Sequence, residues 1–312
     1  MFGHAAPPAE DVDTVGDRAN VVRLCTVVPP NCAAVFVKVV DRTSTESYKD
    51  RLAKYIIEEA ERRGDLKPGM TIVAATDGST GFSLAFACIL KKYPLTIVSS
   101  NAFDVEKLRS LEGHGALKLD LVYSSSGITP DLIPSMVHRA KELAQGDGYY
   151  LADQFHNEDT CIEYETMGRE LLNRFPEGID AFCGAVGGAG IAMGIAKILK
   201  SKWPEIFIAM PEPASSPTIR ESRPGAHSVE GIGFYPPHPD WKLCNEVCAV
   251  PEEEGHDMYR RLVKEECLSV EAPTGFNVAA AIALAKRLGP GKQVVTVAVQ
   301  YGVKNTSSNW FT

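Results

Sequence analysis

The segment VAATDGSTGFSLAFACIL, residues 73–90, joins a short apolar run to a longer one through the polar turn TDGSTG, residues 76–81. The first run has the length and composition of a buried strand, and the second has the length of a helix. A turn that links a strand to a helix in this way points its backbone N–H groups into the crevice above the sheet. The segment therefore predicts an α/β fold and makes this turn a candidate ligand site.

Segments of strand length and of helix length alternate along the rest of the chain. Strands are predicted at 33–40, 71–76, 95–100, 117–125, 148–153, 180–186, 206–212, 245–251 and 293–300, and helices at 50–63, 81–92, 104–113, 130–145, 160–174, 188–201, 253–266 and 275–288. A strand, a helix and a strand in this order predict parallel sheets. The pattern indicates two three-layer α/β/α lobes with mainly parallel sheets.

The order of these segments also predicts how the chain is divided. A flexible acidic leader is expected at 1–19, and a smaller lobe that carries the turn at 46–145. The larger lobe is expected to combine 20–45 with 146–312, so the seam lies near 145–150. A long loop rich in Pro, Gly and Ser, at 213–240, interrupts the larger lobe. Loops of this length inside compact domains are usually functional.

Composition excludes several classes of partner. The 312 residues are 45% hydrophobic with a net charge of -8, and an acidic chain lacks the basic face that nucleic acids or anionic membranes require. No apolar run reaches the roughly 18 residues that span a bilayer, and the eight cysteines are dispersed, which favours a cytoplasmic protein. Cys244, Cys248, His238 and His256 fit no zinc spacing, so no metal site is expected.

A second glycine-rich turn lies between the predicted strand and helix of DAFCGAVGGAGIAMGIAKIL, residues 180–199. Small residues there allow several backbone amides to converge on an anion, and the helix dipole adds a favourable potential. Close packing of a strand against a helix would require the same small residues. Either glycine-rich turn taken by itself is therefore weak evidence for a ligand.

Lys49 stands at the start of a third segment, TESYKDRLAKYIIEEAERRG, residues 45–64. The segment predicts an amphipathic helix that ends at Gly64. Either Thr45 or Ser47 could cap its first turn. A lysine in such a place is either a solvated residue beside a cap or a functional amine.

Taken together, these three features resemble the cysteine synthase branch of the fold type II pyridoxal-phosphate enzymes. The resemblance rests on the order of Ser-x-Lys-Asp-Arg, Thr-x-Gly-x-Thr-Gly and a second glycine-rich turn, and it covers the chain from about Asn20 onward. It is also carried by ERRGDLKPGMTIVAATDGSTG, YYLADQFHNED, RPGAHSVEGIGFYPP, EECLSVEAPTGFNVAAAIALAKR and KQVVTVAVQYGVKNTSS.

The resemblance implies a cofactor, pyridoxal 5'-phosphate, and a set of site residues. Lys49 would bind the cofactor aldehyde covalently and move the α-proton of the substrate, and desolvation at a helix start would lower its pKa toward that of a useful base. The implied cofactor-binding residues are Ser79, Gly187, Gly188, Ala189, Gly190, Ile191 and Tyr301. The implied substrate-binding residues are Thr76, Asp77, Gly78, Thr80, Gln154 and Gly231. A homodimer is also implied.

Both glycine-rich turns depart from the family pattern. The phosphate loop, usually Gly-Thr-Gly-Gly-Thr, reads Gly-Gly-Ala-Gly-Ile at 187–191, so both hydroxyls are absent and weaker cofactor retention is expected. In the first turn, Ser79 replaces the family's asparagine and Asp77 replaces a serine. A carboxylate within ~4 Å of the substrate's own would repel it by about 4 kcal/mol at an effective dielectric of 20. A helix cap is the other reading of Asp77.

Two further departures lie near the C-terminus. Tyr301-Gly302 stands where the family usually places a serine opposite the pyridine nitrogen, and a neutral phenol there suits β-elimination and β-replacement. The stretch EAPTG, residues 271–275, looks more like that of serine and threonine dehydratases than the Gly-x-Ser-Ser-Gly of cysteine synthases.

Three hypotheses for the function follow. The first is a transferase that catalyses β-replacement on an O-activated serine through an aminoacrylate. The second is a lyase or dehydratase that stops at elimination and acts on an unusual amino acid. The third is a cofactor-poor binding subunit without catalytic activity. Retention of Lys49 and of the glycines in both turns favours the enzymes.

Overall fold

The computed structural model describes residues 20–39, 47–103, 108, 111, 117–155, 159–187, 190–229, 231–233 and 239–298. The strands are β1 (Val21–Arg23), β2 (Ala34–Lys38), β3 (Thr71–Ala75), β4 (Leu95–Ser100), β5 (Leu117–Val122), β6 (Tyr149–Leu151), β7 (Ala181–Cys183), β8 (Phe207–Pro213), β9 (Glu246–Val250) and β10 (Gln293–Val297). The helices are α1 (Lys49–Arg63), α2 (Ser79–Lys91), α3 (Leu132–Leu143), α4 (Asp159–Arg174), α5 (Gly190–Lys202), α6 (Thr218–Glu221), α7 (Glu252–Glu265) and α8 (Ala272–Leu288), with a 3-10 helix at Pro239–Leu243.

The strands form two sheets. The larger has the order β1-β2-β10-β7-β8-β9, and the smaller has the order β5-β4-β3-β6. Every neighbouring pair is parallel except β1 and β2, which pair antiparallel at the edge of the larger sheet. The prediction of an α/β protein with mainly parallel sheets is confirmed.

Burial explains why the strands read as continuous apolar runs. All six residues of β4 are buried, and so are four of the five in β3 and in β10. Parallel strands are covered by helices on both faces, so alternation between polar and apolar residues is lost. Helix α8 buries twelve of its residues in the core of the larger sheet, which is why its amphipathic pattern is weak.

The smaller sheet includes a strand that follows the predicted seam. Strand β6 pairs in parallel with β3, through Thr71 opposite Tyr149 and Val73 opposite Leu151. The chain therefore leaves the larger sheet after β2, forms the smaller sheet with β3 to β6, and returns to the larger sheet between β6 and β7. The division into lobes at 145 and 146 stays a prediction, and this pairing favours a boundary a few residues later.

The predicted leader at 1–19 and most of the predicted helix at 104–113 lie outside the described residues.

Polar contacts hold helix α1 against helices α2 and α4. Lys38 at the end of β2 is fully buried and its Nζ lies 3.0 Å from a carboxylate oxygen of Glu170 on α4. The other oxygen of Glu170 binds Arg51 at 2.7 Å. On the opposite side, Ser83 on α2 donates to Asp50 at 2.6 Å. Buried charges need such partners, and these contacts fix the first turn of α1, where Lys49 lies.

All eight cysteines are free thiols. Within the described residues, no helix combines the length and the apolarity that crossing a bilayer requires.

Candidate active site

The first glycine-rich turn follows the carboxyl end of β3 and leads directly into α2. The helix begins at Ser79, two residues before the predicted start, and its N-cap is Gly78 with a φ of 127°. Only glycine adopts this backbone conformation readily. The N–H of Gly78 donates to the hydroxyl of Thr76 at 3.0 Å, so Thr76 stabilises the turn from within.

Gln154 connects this turn to Lys49. Its Oε1 accepts hydrogen bonds from the Thr80 hydroxyl at 2.6 Å and from the Lys49 amine at 3.3 Å. Its Nε2 donates to the backbone oxygen of Ala75 at 2.9 Å, which fixes the orientation of the amide. Three residues that are far apart in the sequence therefore meet at one point, and all three are among the residues that the sequence predicts for the site.

Lys49 is the first residue of α1, and its backbone N–H donates to the hydroxyl of Ser47 at 3.2 Å. The helix therefore includes the lysine, which the sequence places just before it, and Ser47 satisfies one of its free donors. Burial lowers the pKa of the Lys49 amine to about 8, although the nearby Asp77 carboxylate opposes that shift. The amine also lies 5.1 Å from the centre of the Tyr48 ring. A lysine in this setting is neutral in a useful fraction near pH 8.

Asp77 does not cap the helix that follows it. Among the described residues, its carboxylate accepts a hydrogen bond from the Thr76 hydroxyl at 3.5 Å and none from a backbone N–H of α2, whose N-cap is Gly78. One carboxylate oxygen of Asp77 lies 3.6 Å from the position that a Cβ on Gly231 would occupy. The pKa of the Tyr48 phenol is raised by burial first, and then by the charges of Asp77 and Glu271. The carboxylate of Asp77 is thus directed across the cleft toward the loop at 231–233, and its charge reaches Lys49 and Tyr48.

The second glycine-rich turn faces the same loop. A Cβ on Gly187 would lie 2.1 Å from the backbone oxygen of Gly231, so only glycine fits between the two segments. Gly190 begins α5, and Ile191 follows it in the first turn of that helix. Gly188 and Ala189, which the sequence also predicts for this loop, lie outside the described residues, as does Tyr301.

A cleft joins these features. Among the predicted site residues it is lined by Lys49, Gln154, Gly187, Gly190, Ile191 and Gly231. Thr76, Asp77, Gly78, Ser79 and Thr80 lie on the turn and helix start beside it, and Thr80 reaches it through its hydrogen bond to Gln154. The described site residues therefore gather at the carboxyl ends of strands from both sheets, as parallel sheets require of ligand sites.

Eight of the lining residues were missed by the sequence reading, and three of them, Asn277, Tyr48 and Tyr164, carry polar groups that bear on the site. Asn277 on α8 is buried, accepts from the Ala185 N–H at 2.8 Å and donates to the Val297 oxygen at 3.0 Å, so it ties together the ends of β7 and β10. The rings of Tyr48 and Tyr164 pack with their centroids 5.7 Å apart. A phenol directly before Lys49 was the available signal for Tyr48, and no local pattern marks the other two.

Comparison with known proteins agrees with this geometry. Residues 18–299 match the family model described as "Pyridoxal-phosphate dependent enzyme". The chain is 36% identical to a cysteine synthase of Staphylococcus aureus, with 97% of each chain covered. The fold is similar to an O-acetylserine dependent cystathionine beta-synthase from Helicobacter pylori, with a TM-score of 0.86, 27% identity, and coverage of 96% of this chain and 97% of the other. It is also similar to an O-ureido-L-serine synthase, with a TM-score of 0.85, 27% identity, and coverage of 96% and 93%.

Proposed function

This chain belongs to the pyridoxal-phosphate-dependent enzymes and is similar to cysteine synthases, and from that premise we propose that it catalyses β-replacement on an O-activated serine. The observation that carries the proposal is the meeting of the Lys49 amine, Thr80 and Gln154 in one cleft. Solved structures with this fold include an enzyme named as dependent on O-acetylserine, which is a serine with an activated hydroxyl, and one named for the synthesis of O-ureido-L-serine, which carries its substituent at the β-carbon.

The residues of the cleft fit the cofactor. Lys49 offers an amine whose pKa burial lowers to about 8, which suits attachment to an aldehyde. The start of α5 at Gly190 offers backbone N–H groups to an anion, and the chain is close-packed there, because a Cβ on Gly187 would meet the Gly231 backbone oxygen and a Cβ on Gly190 the Tyr164 ring. When bound there, pyridoxal 5'-phosphate supplies the electron sink that stabilises negative charge at the substrate's α-carbon.

The chain's own groups then have separate tasks. Nζ of Lys49 removes the proton from the substrate's α-carbon and returns it there once a nucleophile has been added at the β-carbon. Thr80 and Gln154 orient the substrate's carboxylate, and Gln154 is held for this purpose by Ala75. Gly231, which faces Asp77 across the cleft, lets substrate approach the backbone of the loop at 231–233.

One observation favours a different substrate. Carboxylates lie on one side of the cleft, since burial first and then the charges of Asp77 and Glu271 raise the pKa of the Tyr48 phenol. A substrate with a hydroxyl or a cation on that side would be stabilised, and a lyase acting on such an unusual amino acid is the second candidate. The family relationship leaves no support for the binding subunit without catalytic activity.

Product analysis separates transferase from lyase. The purified protein is incubated with O-acetylserine and sulfide, and both the amino acid product and the keto acid released by elimination are measured. We expect the β-substituted amino acid to exceed the keto acid. Keto acid as the main product, with or without sulfide, would contradict β-replacement. The lyase would then be the remaining candidate. A panel of serines with other activated hydroxyls then identifies the leaving group.

We propose that the enzyme acts in the cytoplasm as a homodimer. The free state of all eight cysteines supports a reducing compartment, and the similarity to bacterial cysteine synthases supports the cytoplasm. The homodimer is what the family resemblance of the sequence implies. Light scattering at micromolar concentration should give about twice the chain mass of 33.8 kDa. The mass of a single chain would contradict the dimer.

A further inference from the structure

The start of α5 offers an anion fewer donors than its position suggests. Residues 187–191 contain no hydroxyl or other polar side chain, so only backbone N–H groups of the turn can bind a phosphate there. Hydrogen bonds to a charged group are stronger than neutral ones, and each one lost weakens the binding of an anion. The neighbouring elements are therefore the place to look for further donors.

Tyr164 on α4 is such a neighbour. Its side chain is 1% exposed, and its residue lines the cleft together with Gly187, Gly190 and Ile191. The ring lies against the first turn of α5, because a Cβ on Gly190 would be 3.2 Å from two ring carbons. A Cβ on Gly194, one turn later, would be 2.9 Å from the Tyr164 Cβ. The two glycines thus give the phenol its place beside the helix start.

The hydroxyl of Tyr164 is buried and has no hydrogen-bond partner in the part of the chain that the structure describes. Leaving a buried hydroxyl unpaired destabilises the folded protein, so proteins rarely keep one without a reason. Burial raises the pKa of this phenol well above its ordinary value, which keeps the proton on the oxygen. The Tyr164 hydroxyl is therefore a hydrogen-bond donor in the cleft that has no acceptor among the described residues.

We propose that the Tyr164 hydroxyl donates a hydrogen bond to the phosphate of the bound cofactor at the start of α5, in place of the side-chain hydroxyls that residues 187–191 lack. Two independent observations support this assignment: the position of the ring against Gly190 and the unpaired, buried oxygen. The proposal concerns retention of the cofactor, so it does not depend on which reaction the enzyme catalyses or on its substrate.

The test compares two forms of the cofactor that differ only in the phosphate. Full-length wild type and Tyr164→Phe are freed of cofactor, and each is titrated with pyridoxal 5'-phosphate and with pyridoxal, which lacks the phosphate. Tyr164→Phe should weaken binding of pyridoxal 5'-phosphate by roughly tenfold to a hundredfold, the range for a hydrogen bond to a charged group. Binding of pyridoxal should stay unchanged.

Tyr48→Phe is the matched control, because Tyr48 lines the same cleft and packs against Tyr164. It should change the affinities for the two compounds by the same factor. A loss for Tyr164→Phe that is equal with both compounds would place the hydroxyl at the pyridine ring or the substrate and would overturn the proposal. An unchanged affinity for both compounds would overturn it as well.

Stability of the cofactor-free protein provides a second readout. Since the hydroxyl has no described partner, Tyr164→Phe should unfold in urea at the same or a higher concentration than wild type. Inorganic phosphate should raise the thermal midpoint of wild type more than that of the variant. A cofactor-free variant that is clearly less stable, or that fails to fold, would show that the hydroxyl has a structural partner and would refute the assignment.

Discussion

Lys49→Ala should abolish covalent attachment of the cofactor and lower the β-replacement rate by roughly a thousandfold or more, because one amine serves both as nucleophile and as general base. Attachment is measured by borohydride reduction of the purified protein followed by the mass of the intact chain. Wild type should gain the mass of one reduced cofactor, and the variant should gain none. The visible absorbance of the bound cofactor should change in parallel.

Lys54→Ala is the control, since Lys54 lies on the exposed side of the same helix. It should retain both attachment and rate. A Lys49→Ala protein that still gains the cofactor's mass would assign the attachment to another lysine. Such a result would leave the family relationship intact and remove Lys49 from the proposed mechanism.

The pH dependence of attachment provides an independent check of the same residue. Attachment requires the neutral amine, which is the form that predominates above the pKa of about 8. The rate of cofactor uptake by cofactor-free protein should therefore rise with pH through about 8 and level off above it. Asp77→Asn should move this midpoint to lower pH, because the Asp77 carboxylate stabilises the charged amine and so raises its pKa. An unmoved midpoint would mean that Asp77 does not act on Lys49.

The second large effect is expected from restoring the family's turn with Asp77→Ser and Ser79→Asn together. Activity with O-acetylserine and sulfide should rise tenfold or more. A carboxylate ~4 Å from the substrate's own repels it by about 4 kcal/mol at an effective dielectric of 20, and screening in an open cleft reduces that figure. Activity with the native substrate should fall. The measurement is kcat/KM for the wild type and the double variant across a panel of O-activated serines.

Asp77→Ala distinguishes a role in binding from a role in folding. A lost helix cap would lower the stability by ~1 kcal/mol and leave the ranking of substrates unchanged. The structure favours the opposite result, because the Asp77 carboxylate accepts from the Thr76 hydroxyl, not from a described N–H of α2, and is directed toward Gly231. We therefore expect unchanged urea unfolding and a changed ranking. Unchanged ranking at lower stability would show that Asp77 is structural.

Local chemistry explains how much the sequence determined. The alternation of strands and helices, the turn at 76–81 and the helix predicted at 50–63 were all readable, because each depends on residues that are neighbours in the chain. The observed helix begins one residue earlier, at Lys49. The parallel sheets followed from connectivity. Boundaries shifted where a helix gained residues at its start, as α2 did at Ser79 and α8 at Ala272, because the predicted starts relied on apolar periodicity and the first turns carry polar or small residues.

Which polar atoms meet depends on how distant parts of the chain pack together. Gln154 bonds Thr80 and Lys49 across 74 and 105 positions of sequence, and no local pattern encodes such a contact. The sequence alone allows the Asp77 side chain either to cap α2 or to face the cleft. The folded chain places the loop at 231–233 opposite the carboxylate, so the side chain faces the cleft. The unpaired hydroxyl of Tyr164 is likewise invisible in the sequence, because whether a phenol is satisfied depends on every atom packed around it. Side-chain type and periodicity are local properties, whereas burial and hydrogen bonding belong to the folded chain as a whole.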